Sequence, residues 1–360
     1  MTNTPVLRPR LEDVARLAKV SLGSASRALA TPELVKPATL ARVRQAVAQL
    51  GYVRNGAARA LASRRTFSVG AIFPTLHNPA FADSIQSLQQ ALRKANYQLV
   101  VASHEYVPER EYEAVRSIVE RGIDGLILTG AEHDERIFDL MQQRRLPLVL
   151  TWCPERPRYG HGVGFSNRNA AYDLTRAVLA QGHTRFGVVC GSRQSNERAR
   201  QRVGGTEDAL AEAGLRLRED WIFEQQLSYE GGRAAIRRLA AMTERPTVLM
   251  CNTDILAVGA LHECRLQGIR VPQDLSVTGH DDIELASLTV PALTTVHIPS
   301  AQMGTLAGEF LIELIENRGV PEADELTSTV VLRDSVADIS ARSPRSAITA
   351  GAPAADRAGA

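Results

Sequence analysis

Two adjacent carboxylates, Asp281 and Asp282, end the apolar run LSVTGH. At the carboxyl end of a strand, such a pair suits acid–base or metal chemistry. It suits ligand binding at least as well, because ligands of open α/β sheets sit outside the carboxyl ends of the strands. The chain has no GxxxxGK[ST], HExxH or GxSxG motif. The run Gly160-His-Gly-Val-Gly164 lacks the strand-then-helix setting of a dinucleotide site and reads as a loop. Cys153, Cys190, Cys251 and Cys264 lie far apart without a CxxC pair, which suits free buried thiols in a reducing compartment. No His, Ser or Cys has a catalytic neighbourhood. The expected chemistry is binding, with no enzyme, metal or cofactor.

Charge says what could be bound. The net charge is only +2, but residues 1–65 hold 12 Lys or Arg against 3 acids, while the remainder holds 30 against 37. A head at +9 on a body at −7 is the footprint of a nucleic-acid-binding module, although a solvated basic surface gives the same count.

The elements that must position these groups divide at about residue 66. In LEDVARLAKVSLGSASRALA, apolar residues fall at Leu11, Val14, Ala15 and Ala18, then at Ala25 and Leu29. The break at Lys19-Val20-Ser21 leaves Ser21 as an N-cap. A third helix starts near Pro37 with Leu40, Val43, Val47 and Leu50 on one face and stops at Gly51. The first two helices make a helix-turn-helix. The Ala-rich stretch 52–66 is either a linker or a segment that becomes helical only when held.

From Phe67 onward, short β-rich runs (SVGAIFP, YQLVVASH, DGLILTG, LPLVLTW, RFGVVCG, TVLMCN, DLSVTGHD, TTVHIP) alternate with amphipathic stretches. The stretches expected as helices are Phe81–Ala95, Glu109–Arg121, Asn169–Gln181, Arg198–Ala213, Asp254–Gln267 and Ala301–Asn317. That rhythm predicts parallel sheets covered by helices on both faces, and its length favours two similar subdomains. The expected fold is an all-α helix-turn-helix head with an α/β core of two doubly wound parallel-sheet subdomains. The head would span 1–51 and the hinge 52–66. The core would span 67–340, with subdomains 67–165 plus 297–327 and 166–296 plus 328–340. The Ala/Gly/Pro-rich 341–360 reads as a disordered tail. No apolar run approaches about 20 residues and the N-terminus has no secretory signal, so a cytoplasmic location is expected.

LEDVARLAKVSLGSASRAL, QLGY, NGAARAL, FPTLHNPAF, RGIDGLIL, QGHTRFGVV, TDILAVGAL, GHDDIELA and PALTTV follow one another in the order and spacing of the LacI/GalR family of transcriptional regulators. The chain resembles that family from Leu11 to about Asp338. VGFSN and LSYEGG are most similar to its gluconate-repressor branch. The resemblance implies a DNA-binding repressor controlled by a small metabolite, a sugar or sugar acid. The core would be of the periplasmic-binding-protein type, and a homodimer would bind a palindromic operator. The rival readings are a stand-alone solute-binding protein and a sugar-processing enzyme on the same core.

The resemblance also implies roles for residues. Leu22–Ala30 would be the helix in the major groove, with Leu22 and Gly23 at base-reading positions and Arg27 reading guanine O6 and N7. Ser21, Ser24 and Ser26 would donate to phosphates unless they simply cap or pack. Asn55 belongs to the hinge motif. Leu61 stands where the family wedges a side chain into the minor groove, although on the sequence alone it is equally an ordinary helix-face residue. In the core, Arg202 matches a ligand-clamping arginine, Asp281 an acid that accepts from ligand hydroxyls, and Phe81 an apolar wall. Ser166 and Thr253 stand where an aspartate and an asparagine are common, and Ala80 and Leu227 where aromatics are common, departures for which Asn252 or Tyr229 would compensate.

Overall fold

A computed structural model describes residues 9–53, 60, 65–154, 159–319 and 325–340. The chain divides into two compact units, Met1–Thr66 and Phe67–Ala360. In the first, α1 (Leu11–Leu17), α2 (Leu22–Ala30) and α3 (Pro37–Leu50) pack Val14, Ala18, Ala28, Val43 and Ala46 into a small core. Lys19 takes a left-handed φ of 52° in the turn between α1 and α2, and Gly51 ends α3 at φ 59°. Ser21 caps α2, its hydroxyl accepting from the Ser24 amide at 3.1 Å, and removing such a cap costs about 1 kcal/mol. Asn55, Leu61 and residues 341–360 lie outside the described residues.

The second unit holds two parallel sheets. The first has the strand order β2-β1-β3-β4-β5, from β1 (Ser68–Phe73), β2 (Gln98–Ser103), β3 (Gly125–Thr129), β4 (Leu148–Thr151) and β5 (His161–Val163). The second has the order β7-β6-β8-β9, from β6 (Phe186–Cys190), β7 (Ile222–Glu224), β8 (Val248–Cys251) and β9 (Ser276–Thr278). The two orders share one pattern, in which the second strand lies outside the first and the third and fourth follow on the other side. The inner strands β1, β3, β6 and β8 are short and almost wholly buried, as parallel strands covered by helices must be. The helices are α4 (Pro79–Lys94), α5 (Pro108–Arg121), α6 (Glu135–Arg144), α7 (Asn167–Ala180), α8 (Glu197–Glu212), α9 (Tyr229–Ala240), α10 (Asp254–Leu266), α11 (Glu284–Leu288) and α12 (Ser300–Ile315). The helices that pack most extensively on one another are α4 with α12, α7 with α8, and α9 with α10. A Cβ on Gly232 of α9 would overlap the Leu256 carbonyl oxygen of α10, so that pair requires glycine for its close approach.

Several features differ from the expectation. Residues 161–163 of the glycine-rich run form the edge strand β5 and not a loop, pairing in parallel with Val149–Thr151. Its three residues are too few for period-2 alternation to show. A short antiparallel ribbon, β10 (Thr295–His297) with β11 (Thr329–Val331), is added to the parallel sheets. The strand β7 and the helices α6, α9 and α11 also stand outside the expected set, although α6 buries Ile137, Phe138 and Met141 and α9 buries Ala235, Ile236 and Leu239 at helical spacing. Among the described residues, no helix is long and apolar enough to cross a membrane.

Candidate DNA-reading helix and effector cleft

The N-terminal part of α2 presents Ser21, Leu22, Gly23 and Arg27 to solvent, while Ala25 and Ala28 face the core. Leu22 is 47% exposed, an unusual position for a leucine unless a partner covers it. A Cβ on Gly23 would meet nothing within 4 Å, so packing does not demand a glycine there. Glycine inside a helix is unfavourable by about 1 kcal/mol relative to alanine. Ser24 is occupied locally, its hydroxyl 2.9 Å from that of Ser21, and Ser26 is half-buried. Arg10, Arg16, Lys19, Lys36, Arg42 and Arg44 are exposed in the same unit.

In the second unit, the segments that leave the carboxyl ends of both sheets converge. Asn78, Phe81, Tyr106 and Trp152 come from the first sheet's side. Asn196, Arg198, Arg202, Leu227, Asn252, Thr253 and Asp281 come from the second. Together they line an inner cavity of about 20 Å³, room for one water.

Arg202, 6% exposed, donates Nε to Asn167 Oδ1 at 2.9 Å and Nη1 to the Asn252 carbonyl. Both partners are neutral, and burial lowers the guanidinium's pKa while Asp281 opposes that fall. Arg198, in contrast, pairs with Glu197 at 2.9 Å and bonds the Thr129 carbonyl at 3.2 Å.

The two aspartates divide their roles. Asp282 is held by Arg333 at 2.7 Å and His297 at 3.1 Å, which ties it to the ribbon and its flank. Asp281 faces the cavity and accepts from Asn78 Nδ2 at 3.2 Å. Burial pushes its carboxyl up to about 7, with Arg202 opposing and Asp254 adding. Its φ of 121° is one few side chains adopt, and such backbone strain gathers at binding sites. The loop is fixed by buried Asp254, whose Oδ1 accepts from Thr295 at 2.6 Å and whose Oδ2 accepts from the Ile283 amide at 2.9 Å. A Cβ on Gly279 would overlap that Oδ1, so glycine is required where the loop passes the carboxylate.

Phe81 forms a wall, its ring 4.7 Å from Trp152 in an edge-on arrangement. Thr253 lines the cavity and also caps α10, accepting from the Leu256 amide. Asn252 lines it through a side chain that reaches the Ala199 carbonyl at 3.4 Å. Ser166 is placed elsewhere. Its hydroxyl caps α7 by accepting from Asn169 at 3.1 Å, its amide donates to Glu325, and it is absent from the lining. Asn78, Tyr106, Trp152, Asn196 and Arg198 were missed by sequence reasoning. Four of them follow within a few residues of β1, β2, β4 or β6, so the rule placing ligands at strand carboxyl ends was the available signal. Trp152 Nε1 is buried without a partner among the described residues, an arrangement that is costly unless something accepts from it.

Comparison with known proteins places this geometry. The family described as bacterial regulatory proteins, lacI family, matches residues 10–55, and the periplasmic binding protein-like domain matches residues 175–336. The ribose operon repressor of Haemophilus influenzae is 33% identical over 333 residues, 91% of this chain and 98% of that protein. The HTH-type transcriptional regulator GntR of Escherichia coli is 33% identical over 315 residues, 87% of this chain and 94% of its own. A solved LacI-family regulator from Silicibacter pomeroyi superposes with a TM-score of 0.82 at 27% identity, covering 91% of this chain and 99% of its own.

Proposed function

Because the chain belongs to the LacI family and is a DNA-binding transcriptional repressor, we propose that a sugar or sugar acid bound in the core cleft sets its affinity for operator DNA. The carrying observation is that Arg202 and Asp281, both buried, border one cavity at the sheets' carboxyl ends. An arginine whose bonds go to neutral oxygens can still grip a carboxylate or phosphate. A carboxylate beside it accepts from ligand hydroxyls. Asn252 and Thr253 add polar edges and Phe81 an apolar wall.

Asn78 and Asp281, Arg198 and Thr129, and the Ala131 amide with Glu197 join the two halves across the cleft. A ligand that replaces some of these contacts shifts the balance between arrangements of the halves by its differential affinity for them. The relatives are regulators and not enzymes. On the DNA side, a homodimer reading a palindromic operator presents two copies of α2 to successive major grooves. Arg27 reads bases, Leu22 contacts an apolar base edge, and Gly23 lets the backbone approach. Ser21 and Ser26 position the helix on phosphates, with Ser24 and Asn55 supporting it and the hinge.

The first test is a thermal-shift panel of sugars, sugar acids, their phosphates and nucleobases. A ligand at 100 times its Kd is expected to stabilise the protein by about 2.7 kcal/mol and to alter operator affinity. Silence from every sugar and sugar acid would remove the reading. The effector's affinity is also expected to depend on pH. Burial pushes the Asp281 carboxyl up to about 7, so its acceptor charge develops as pH rises through neutrality. Affinity for a hydroxyl-bearing effector should rise about ten-fold from pH 6 to pH 8, and Asp281→Asn should flatten the profile in titration calorimetry. In the hinge, Leu61→Ala is expected to reduce operator bending, since a wedge is what unstacks the central step. An unchanged bend in a circular-permutation gel shift would count against it.

A further inference from the structure

Loop 130–134, between β3 and α6, is where the second half of the core grips the first. The Ala131 amide donates to Glu197 Oε1 at 3.1 Å, the Thr129 carbonyl accepts from Arg198 Nη1 at 3.2 Å, and Glu132 pairs with Arg200 at 2.5 Å. Gly130 takes a φ of 106°, and a Cβ there would overlap Glu197 Oε1 and Arg198 Nη1, so the grip leaves no slack. His133 holds the loop in this shape. Its side chain is 1% exposed, with Nε2 3.0 Å from the Gly130 carbonyl oxygen and Nδ1 2.9 Å from Glu111 Oε1 of α5. Two acceptors therefore flank one imidazole. A carbonyl and an ionised carboxylate only accept, and a neutral imidazole has a single N–H. Both bonds form only if the pair holds one proton more than neutral His133 and ionised Glu111 supply. That proton sits on Nδ1, or on Glu111 as a carboxyl donating to Nδ1. Without it, acceptor faces acceptor at one end, and His133 lets go of either the loop or α5.

The surrounding groups do not supply that proton. His104 Nε2 is 3.8 Å from the same Glu111 oxygen, beyond hydrogen-bond length. Burial lowers the His104 pKa, with Glu111 opposing and Arg198 and His133 adding to the fall. Asp134 is matched by Arg136 at 2.6 Å, Glu109 is exposed, and the rings of Tyr106 and Phe138 complete the surround. From α8, Glu197 faces the pair. Burial works against its charge, but Arg198, the Ala131 amide and His133 together lower its pKa, so a positive His133 and the ionised Glu197 of the grip favour one another. The pair also borders a cavity of about 430 Å³, which gives the proton a route to water.

We propose that His133 and Glu111 form a proton clasp that positions loop 130–134 for Glu197 and Arg198, so that the balance between arrangements of the two halves follows pH without any effector. This rests on the reading that the halves shift, and not on what the effector is. The gripped arrangement holds the proton more tightly than one with the loop released. Its share therefore falls as pH rises, by at most about ten-fold per pH unit for one proton. The test is hydrogen exchange of the effector-free full chain from pH 6 to pH 8.5, the range in which histidine ordinarily changes charge and just above it. The protection of the Ala131 amide, corrected for the intrinsic rate at each pH, reads the grip directly. Wild type, Glu111→Gln and His104→Gln are compared. Wild-type protection should fall at least about five-fold across the range. Glutamine brings its own N–H to Nδ1, so Glu111→Gln should keep the wild type's low-pH protection throughout, while His104→Gln follows wild type. The Asp281 carboxyl titrates in all three chains, so the differences between them carry the result. A flat wild-type profile overturns the clasp. So does a Glu111→Gln profile that follows wild type or is low at every pH, or a fall that vanishes in His104→Gln. If Glu111→Gln does not fold, imidazole NMR of wild type decides, since the His133 signals must titrate with the midpoint of the protection. Failure here leaves the effector reading standing, and a silent effector panel leaves the clasp standing.

Discussion

Replacing Arg27 with Ala is expected to leave the protein bound to DNA but nearly indifferent to which DNA. Arg27 stands on the exposed face of α2 with Ala25 and Ala28 buried behind it. Its guanidinium has no hydrogen-bond or ion-pair partner among the described residues, so it is available to a base edge. A bidentate arginine–guanine contact discriminates by about 1–3 kcal/mol. With two copies of the helix on a palindrome, the loss doubles to about 2–6 kcal/mol, roughly 30-fold to 10⁴-fold in the specific-to-nonspecific ratio. The helix itself should not suffer, since alanine is the best helix former and the site is solvent-facing. The exposed Arg10, Arg16, Lys19, Arg42 and Arg44 remain, so binding to any duplex persists and still falls with salt. The measurement is fluorescence anisotropy on an operator selected from random duplexes, against a scrambled duplex, at two salt concentrations. An unchanged ratio would show that Arg27 reads nothing.

The head was legible almost residue by residue because its signals are local. The Ser21 cap, the entry at Pro37 and the stop at Gly51 each act through a neighbour within four positions, and each is where the sequence placed it. The core's strands and most of its helices were legible for the same reason, through period and punctuation. The strands β5 and β7 and the ribbon partner β11 were not; β9 and β10 are as short but sit in longer apolar runs, whereas the pairing of the other three is settled by distant chain. The cleft shows the same divide. Arg202, Asp281 and Phe81 were named through family resemblance and do share a cavity. Ser166 was named through the same resemblance, yet its hydroxyl is spent on capping α7. Tyr106 and Trp152 carry no motif. They reach the cleft only because β2 and β4 end beside it, and that follows from strand order, which no single stretch of sequence encodes.

Replacing Arg202 with Met is expected to abolish effector control while leaving operator binding in place. Methionine fills much of the volume, and it removes a guanidinium whose burial between neutral partners is itself costly. The Asn167 Oδ1 and Asn252 carbonyl lose their donor, which costs about 1–3 kcal/mol for each group left unsatisfied. These effects oppose one another, so the melting temperature should move only a little. Binding has no such compensation. Truncating one partner of a buried charge-assisted contact weakens a complex by about 2–5 kcal/mol, so the effector's Kd should rise at least about 30-fold. A second consequence separates this from a loss of shape. Arg202 holds the Asp281 carboxyl down against burial. Without the guanidinium that carboxyl rises further, and its acceptor charge develops only above neutrality. Whatever binding survives should therefore show its rise with pH displaced upwards relative to wild type. Calorimetry across pH 6 to 9, with operator binding as the control for a folded chain, reads both effects. Effector affinity within about three-fold of wild type, with an undisplaced profile, would exclude Arg202 from the site.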